Sequence, residues 1–230
     1  MTDTAAFSGF AKETVRFLTA LKKNNNRDWF ARNKEIYDRE VIEPAKLFVT
    51  ALGSRLKTIA PGLFAIPAVN KSIFRIYRDT RFSLDPTPYK TNLGIYFWEG
   101  AHSKMEAPGF YFQLEPPDLL LGGGMYMMAD TVLGRYRRAA ADPRRGRELR
   151  RVVDGIAALP GFEIGGEKTK RVPAGFDPEN PNAELLKHKG LWAGTEGRVP
   201  KEFFSEALVD YCFERYEKIA PLYRWMVKLY

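Results

Sequence analysis

The sequence predicts an α+β protein, with a central antiparallel sheet flanked by N- and C-terminal helices. Three observations predict it. Apolar residues recur at helical spacing before about residue 58 and again after about 131. Between 91 and 128 the period drops to two, the mark of half-buried strands. The connections between those strands are short, which favours antiparallel pairing because parallel strands need a dozen or more connecting residues. Helices, then a meander, then helices is an α+β order. No internal repeat or linker divides the chain, so residues 1–230 are expected to form one domain.

Taken in order, Ser8 is placed to cap a first helix running to about Lys23, with Phe10, Val15, Phe17, Leu18 and Leu21 on one side. Asn24, Asn25 and Asn26 read as a turn, since Asn tolerates left-handed backbone angles. Asn26 is also placed to cap a second helix containing Trp29, Phe30 and Tyr37, which Pro44 is expected to interrupt. A third helix is predicted over about Ala45–Thr58, ended by Pro61-Gly62. From Ile73 the β-favouring residues Ile73, Phe74, Ile76, Tyr77 and Phe82 point to strand or irregular structure.

Clearer strands follow at Thr91–Trp98 and Gly109–Glu115. A third, Leu119–Met128, is expected to be broken at Gly122-Gly123-Gly124, where a bulge or sheet bend is the simplest use of the glycines. Helix returns at about Thr131. Asp142-Pro143 suits a cap and first helical residue for a helix to about Leu159. A loop precedes a short helix at Ala183–Lys189. A last helical region after Pro200 carries Phe203, Leu208, Cys212 and Tyr216, with a kink expected at Pro221.

Composition bounds the function. An apolar content of 45% supports a packed core and argues against disorder. The single cysteine, Cys212, rules out an intrachain disulfide and reads as core packing. No apolar run approaches the ~18 residues of a membrane helix, and the start lacks the pattern of a secretory signal. A cytoplasmic protein without membrane association is the expectation. His102 and His188 are isolated, so no metal site is expected. Ser83 lacks a nucleophile-elbow context. No GxxxxGK[ST] or GxGxxG is present, and no cofactor is expected.

The stretch Lys71–Trp98 stands apart. Arg75, Arg78, Arg81 and Lys90 fall within it, with Asp79 and Asp85 among them and apolar residues between. Charges threaded through apolar residues need partners, because breaking a buried ion pair costs about 3–5 kcal/mol. Arg suits two-pronged recognition of phosphate or carboxylate. Lys90 adds a point charge, and Tyr89 a hydrogen-bond donor. The expected anion site is therefore Arg75, Arg78, Arg81, Tyr89 and Lys90. Asp79 is the candidate acid/base residue, although flanking arginines would hold it ionised and favour an orienting role.

The order Arg75-x-x-Arg78-Asp79-x-Arg81-Phe82, then Asp85, then Pro88-Tyr89-Lys90-Thr91, resembles the signature of a widespread uncharacterised family, Domain of Unknown Function 2461. The flanks resemble it too: Asn25-Asn26-Arg27-Asp28-Trp29-Phe30, Gly122-Gly123-Gly124-Met125, and Arg171-Val172-Pro173 with Gly175. The resemblance spans nearly the whole chain. It implies a single-domain protein and brings no established activity or ligand. The chain departs from the family pattern at Pro86, where members usually carry a lysine after the motif aspartate.

The chain's net charge is +8, and most of it lies in one segment. Residues 135–151 hold eight arginines against Asp142 and Glu148. Such a segment is either a solvated helical face or a phosphate-backbone contact surface, with Arg144, Arg145 and Arg147 the candidate contacts. Three functions follow from the sequence. One is a protein, enzymatic or not, with a site for a phosphorylated small molecule or nucleotide. The second is a nucleic-acid-binding protein. The third is an interaction scaffold whose Arg–Asp network is structural.

Overall fold

The computed structural model describes residues 6–81, 85–100 and 104–230. Phe82, Ser83 and His102 lie outside them. Five strands form one antiparallel sheet: β1 (Leu93–Trp98), β2 (Gly109–Glu115), β3 (Asp118–Met125), β4 (Glu163–Gly165) and β5 (Leu191–Arg198). Their order across the sheet is β1-β2-β3-β5-β4. The helices are α1 (Lys12–Lys23), α2 (Arg27–Tyr37), α3 (Glu43–Leu56), α4 (Asp130–Ala141), α5 (Arg145–Ala157), α6 (Ala183–Leu186) and α7 (Leu208–Val227). The fold is α+β, with N- and C-terminal helices flanking the sheet. Among the described residues no helix is long and apolar enough to cross a membrane.

Strand alternation divides the sheet into two unlike faces. Leu93, Ile95 and Phe97 of β1, Phe110, Phe112 and Leu114 of β2, and Leu119, Leu121 and Met125 of β3 are all buried. Helices from both ends of the chain cover this face. Phe48 of α3 packs on Phe112 at 4.9 Å between ring centroids, and Phe110 meets Tyr216 and Tyr223 of α7 at 5.0 and 4.8 Å. Gly123 faces α7 closely: a Cβ there would stand 2.8 Å from Ile219 Cγ2 and 3.0 Å from the Phe110 ring.

Several sequence expectations change in the structure. Asn26 does cap α2, its Oδ1 accepting from the Trp29 amide at 2.9 Å. Asp142 accepts from the amides of Arg144 and Arg145 at 2.9 and 2.7 Å, but α5 begins only at Arg145, so Pro143 lies in the turn before it and is not the first helical residue. Ser8 caps nothing, because α1 begins at Lys12 with Ala11 before it. The preceding residues form no helix: buried Phe7 and Phe10 anchor them on Phe48, and the Phe10 amide donates to the Phe203 carbonyl at 3.0 Å.

Pro44 does not interrupt the helix. It occupies the first turn of α3, which continues from α2 through a π-helical segment, Asp38–Ile42. Proline leaves the carbonyl four residues back without its helical donor. That carbonyl belongs to Glu40, and the buried Thr14 hydroxyl donates to it at 2.6 Å. Pro221 likewise lies inside an unbroken α7.

Two strands escaped the sequence reading. β5 reads LWAGTEGR, where glycines and an alanine dilute the alternation, yet it pairs with β3 along its whole length. The three-residue β4 closes the far edge on β5. The glycine run neither bulges nor breaks β3, which is paired regularly from Asp118 to Met125.

Candidate functional site

The stretch after α3 is irregular but tightly paired. The Phe74 amide donates to the Gly94 carbonyl at 3.0 Å and the Tyr96 amide to the Ser72 carbonyl at 2.8 Å, so residues 72–74 lie along the β1 edge. The chain then folds back on itself. The Arg78 amide donates to Pro88 O at 2.9 Å, and the Lys90 amide to Ile76 O at 2.7 Å. This hairpin carries the charged signature, with residues 79–81 and 85–87 towards its tip.

Asn25 fastens the hairpin to the turn after α1. Its side-chain nitrogen donates to Tyr89 O at 2.8 Å, and its Oδ1 accepts from the Tyr89 amide at 3.1 Å. Tyr89 itself is buried, stacked on Phe30 at 4.2 Å between centroids. Burial, and then the neighbouring Tyr77, push its phenol pKa upward. The Asn-rich segment thus has two tasks: Asn26 caps a helix and Asn25 positions the hairpin.

The cations divide by environment. Arg78 is partly buried, and its guanidinium donates to both Asp85 and Thr87 Oγ1. Asp85 also accepts from the Thr87 amide at 2.9 Å. That amide and then Arg78 hold the carboxyl pKa down at about 2. Arg81 is exposed at the tip, where Asp79 grips it with two oxygens at 2.9 and 2.7 Å. This pairing holds the Asp79 pKa at about 2. Arg75 is exposed. Its charge nonetheless reaches Lys90, whose pKa is lowered first by burial and then by Arg75.

Arg78 and Lys90 line one polar cavity of about 420 Å³, with Lys22, Asn25, Asp85 and Thr87. Tyr89 contributes to its wall. Arg75 and Arg81 do not line it. Sequence reasoning did not place Lys22, Asn25 or Thr87 at the site: Asn25 stood out only as a turn residue and in a flanking motif, and Lys22 and Thr87 carry no signature of their own.

A second cavity, of about 500 Å³, lies over the sheet face opposite the helices. Register explains it. Across the strands run Tyr96–Tyr111–Gly122–Gly194 and Trp98–Gly109–Gly124–Trp192, so glycines form a floor between aromatic side chains. Tyr96 donates to Ala107 O at 2.7 Å, and Tyr111 to Gln113 Oε1 at 2.7 Å, fixing both rings. Phe74 stands at one side, with Lys90 Nζ 5.3 Å and Lys104 Nζ 4.1 Å from its ring centroid. Burial, then Lys90 and Lys71, lower the Lys104 pKa to about 8. The glycines at outward-facing strand positions were the signal available in the sequence.

The Arg-rich segment is split between tasks. Arg135 donates to Leu229 O at 3.1 Å and Arg150 to Pro181 O at 3.0 Å. Arg145 accepts the Trp225 indole N–H on its carbonyl at 3.2 Å. It also lines a cavity of about 450 Å³ with Arg135, Arg138 and Lys228. Arg144 and Arg147 are exposed. His188 is buried, its Nδ1 2.9 Å from Gly190 O, and Cys212 is fully buried in α7. Among the described residues no group of three or more His, Cys, Asp or Glu is gathered as a metal site.

No curated protein matches the chain. A family model described as a conserved hypothetical protein (DUF2461) matches residues 13–225, and with that span the chain belongs to this family.

Proposed function

We propose that this protein binds a phosphate-bearing small molecule in the polar cavity beside the 76–78/88–90 hairpin, with Arg78 and Lys90 as the contacting cations. One observation carries the reading: these two cations line a single cavity of about 420 Å³ together with Lys22 and Asn25. Asp85 and Thr87 hold the Arg78 guanidinium in place, so little ordering is left for a ligand to impose. Lys90 carries a charge that burial and Arg75 disfavour, and an anion relieves both. Arg75 and Arg81 serve as outer charges, Tyr89 as wall, and Asp79 as the residue that orients Arg81. Asp79 has both oxygens on Arg81, which supports binding rather than acid/base chemistry there.

The cavity at Arg145 has no lining residue in common with the one at Arg78. This favours a compact ligand at Arg78 over a polymer tracking across both. The test is calorimetric titration of inorganic phosphate and pyrophosphate into wild type and Arg78→Lys. A charge-assisted contact is worth about 1.5–3 kcal/mol, and lysine cannot reproduce the arginine fork. Arg78→Lys should therefore stay folded and bind roughly tenfold or more weakly. Lost stability with unchanged affinity would assign the network to structure instead.

A further inference from the structure

We infer that the aromatic trough on the open sheet face holds the flat ring of the same ligand, making the ligand class an aromatic ring that carries phosphate, as in a nucleotide. The inference rests on the anion reading above and deepens it. Lys90 and Asn92 line both the polar cavity and the trough, so the two adjoin at a cation. Each cavity lies within the 300–1,000 Å³ usual for small-molecule sites. Charge complementarity points the same way: Lys90 and Lys104 both stand over the ring of Phe74 at the trough's side. A ring lying in the trough would put an attached phosphate against Lys90 and, beyond it, Arg78.

The floor identifies the body of the ligand. Strands β2 and β5 stand about 10 Å apart with β3 between them. Tyr111 of β2 stands beside Gly122 and Trp192 of β5 beside Gly124, so two aromatic side chains flank the glycines of β3 diagonally across a gap wide enough for a flat ring system. Gly122 is the telling residue. Its backbone does not require glycine, and an added Cβ would make only ordinary contacts, 3.5 Å from Ala193 O and 3.8 Å from Leu120 Cδ2. Glycine in a strand interior weakens the strand and often marks the close approach of a ligand or another backbone. Neither neighbouring backbone nor packing explains this glycine, whereas Gly123 beside it is explained by Ile219. What Gly122 leaves bare is the floor of the trough. Tyr96 lies over Gly109 with its hydroxyl held by Ala107 O, and the Tyr111 hydroxyl is held by Gln113, so both rings are fixed and neither is among the atoms within 4 Å of a Cβ at Gly122.

The experiment titrates inorganic phosphate, AMP and adenosine into wild type, Gly122→Val and Tyr126→Ala. Tyr126 lines the trough and is 67% exposed, so its loss spares the fold. Wild type should bind AMP at least about tenfold more tightly than phosphate, the contribution of a base seated against aromatic side chains. Gly122→Val should lose that gain, bind phosphate as wild type does, and resist denaturant equally or better. Tyr126→Ala should weaken AMP alone, and it keeps the test valid should Gly122→Val fail to fold. AMP binding no tighter than phosphate would overturn the trough inference and leave the anion site standing. If neither phosphate nor AMP binds, the anion reading fails and this inference falls with it. Adenosine binding without phosphate binding would likewise overturn the phosphate-bearing class.

Discussion

On β3, consecutive residues meet opposite surroundings. Leu119, Leu121 and Met125 are buried beneath the helices, and Gly123 lets α7 approach. Leu120, Gly122 and Gly124 line the trough on the other face. The covered face is filled by large side chains that interlock with Phe48, Tyr216 and Tyr223. On the open face glycines occupy the centre of the sheet, with the Tyr96 ring over Gly109 and no side chain closer than Leu120 over Gly122. Folding stability therefore resides on one face, while the other keeps an unfilled volume. Maximum burial alone would have filled both, and the contrast is the physical basis for reading the open face as a site.

The sharpest way to break this comparison is one substitution at two neighbouring positions. Leu121→Ala should cost about 2–5 kcal/mol, because it removes a fully buried side chain from a packed core. Leu120→Ala should cost less than half as much in the same urea titration. Equal losses would mean that the open face is packed like the covered one. A smaller effect comes from adding volume. Gly123→Val should destabilise by about 1–3 kcal/mol, since its side chain must displace Ile219 and Phe110. At Gly122 the same residue should be tolerated, and matching losses at both positions would remove the argument from the bare floor.

The smallest effect concerns charge at the trough's side. The Lys104 pKa is held at about 8 in the fold, against an ordinary value of 10.5. Between those values the unfolded chain binds more protons than the folded one, so stability should rise as pH increases across that window. At pH 7 the fold bears the full cost of a charged, partly buried amine. Lys104→Met should flatten the rise and increase stability at pH 7, as followed by denaturant unfolding at pH 7 and pH 10. An unchanged pH profile would mean that the ammonium is well solvated and the trough is open to water there.

Much of the fold was legible because local chemistry agreed with it. Alternation in Gly109–Glu115 gave β2 its bounds, and Asn26 announced its helix through a side chain able to accept from a backbone amide. Elsewhere tertiary contacts overrode local preference. Pro44 stands in a continuous helical run because Thr14, 30 residues earlier, donates to the carbonyl that the proline strands. β5 was illegible because its glycines erase the apolar alternation, and β3 supplies the pairing that fixes it. The signature marked the segment that lines the polar cavity but not how its cations divide. Four cations close in sequence become a pair lining one cavity, Arg78 and Lys90, with Arg75 and Arg81 outside it.

What the sequence determined by itself is the α+β class, the helix–meander–helix order, the family resemblance and the concentration of charge between Arg75 and Lys90. These depend on periodicity, capping and residue type, which act over a few neighbouring residues. Only the tertiary structure decided that Asn25 holds Tyr89, that Arg78 faces the same cavity as Lys90, and that glycines from β2, β3 and β5 align into one floor. Those features depend on strand register and chain reversal. They bring together residues far apart in sequence, so the single strands that supply them carry no mark of the surface they share.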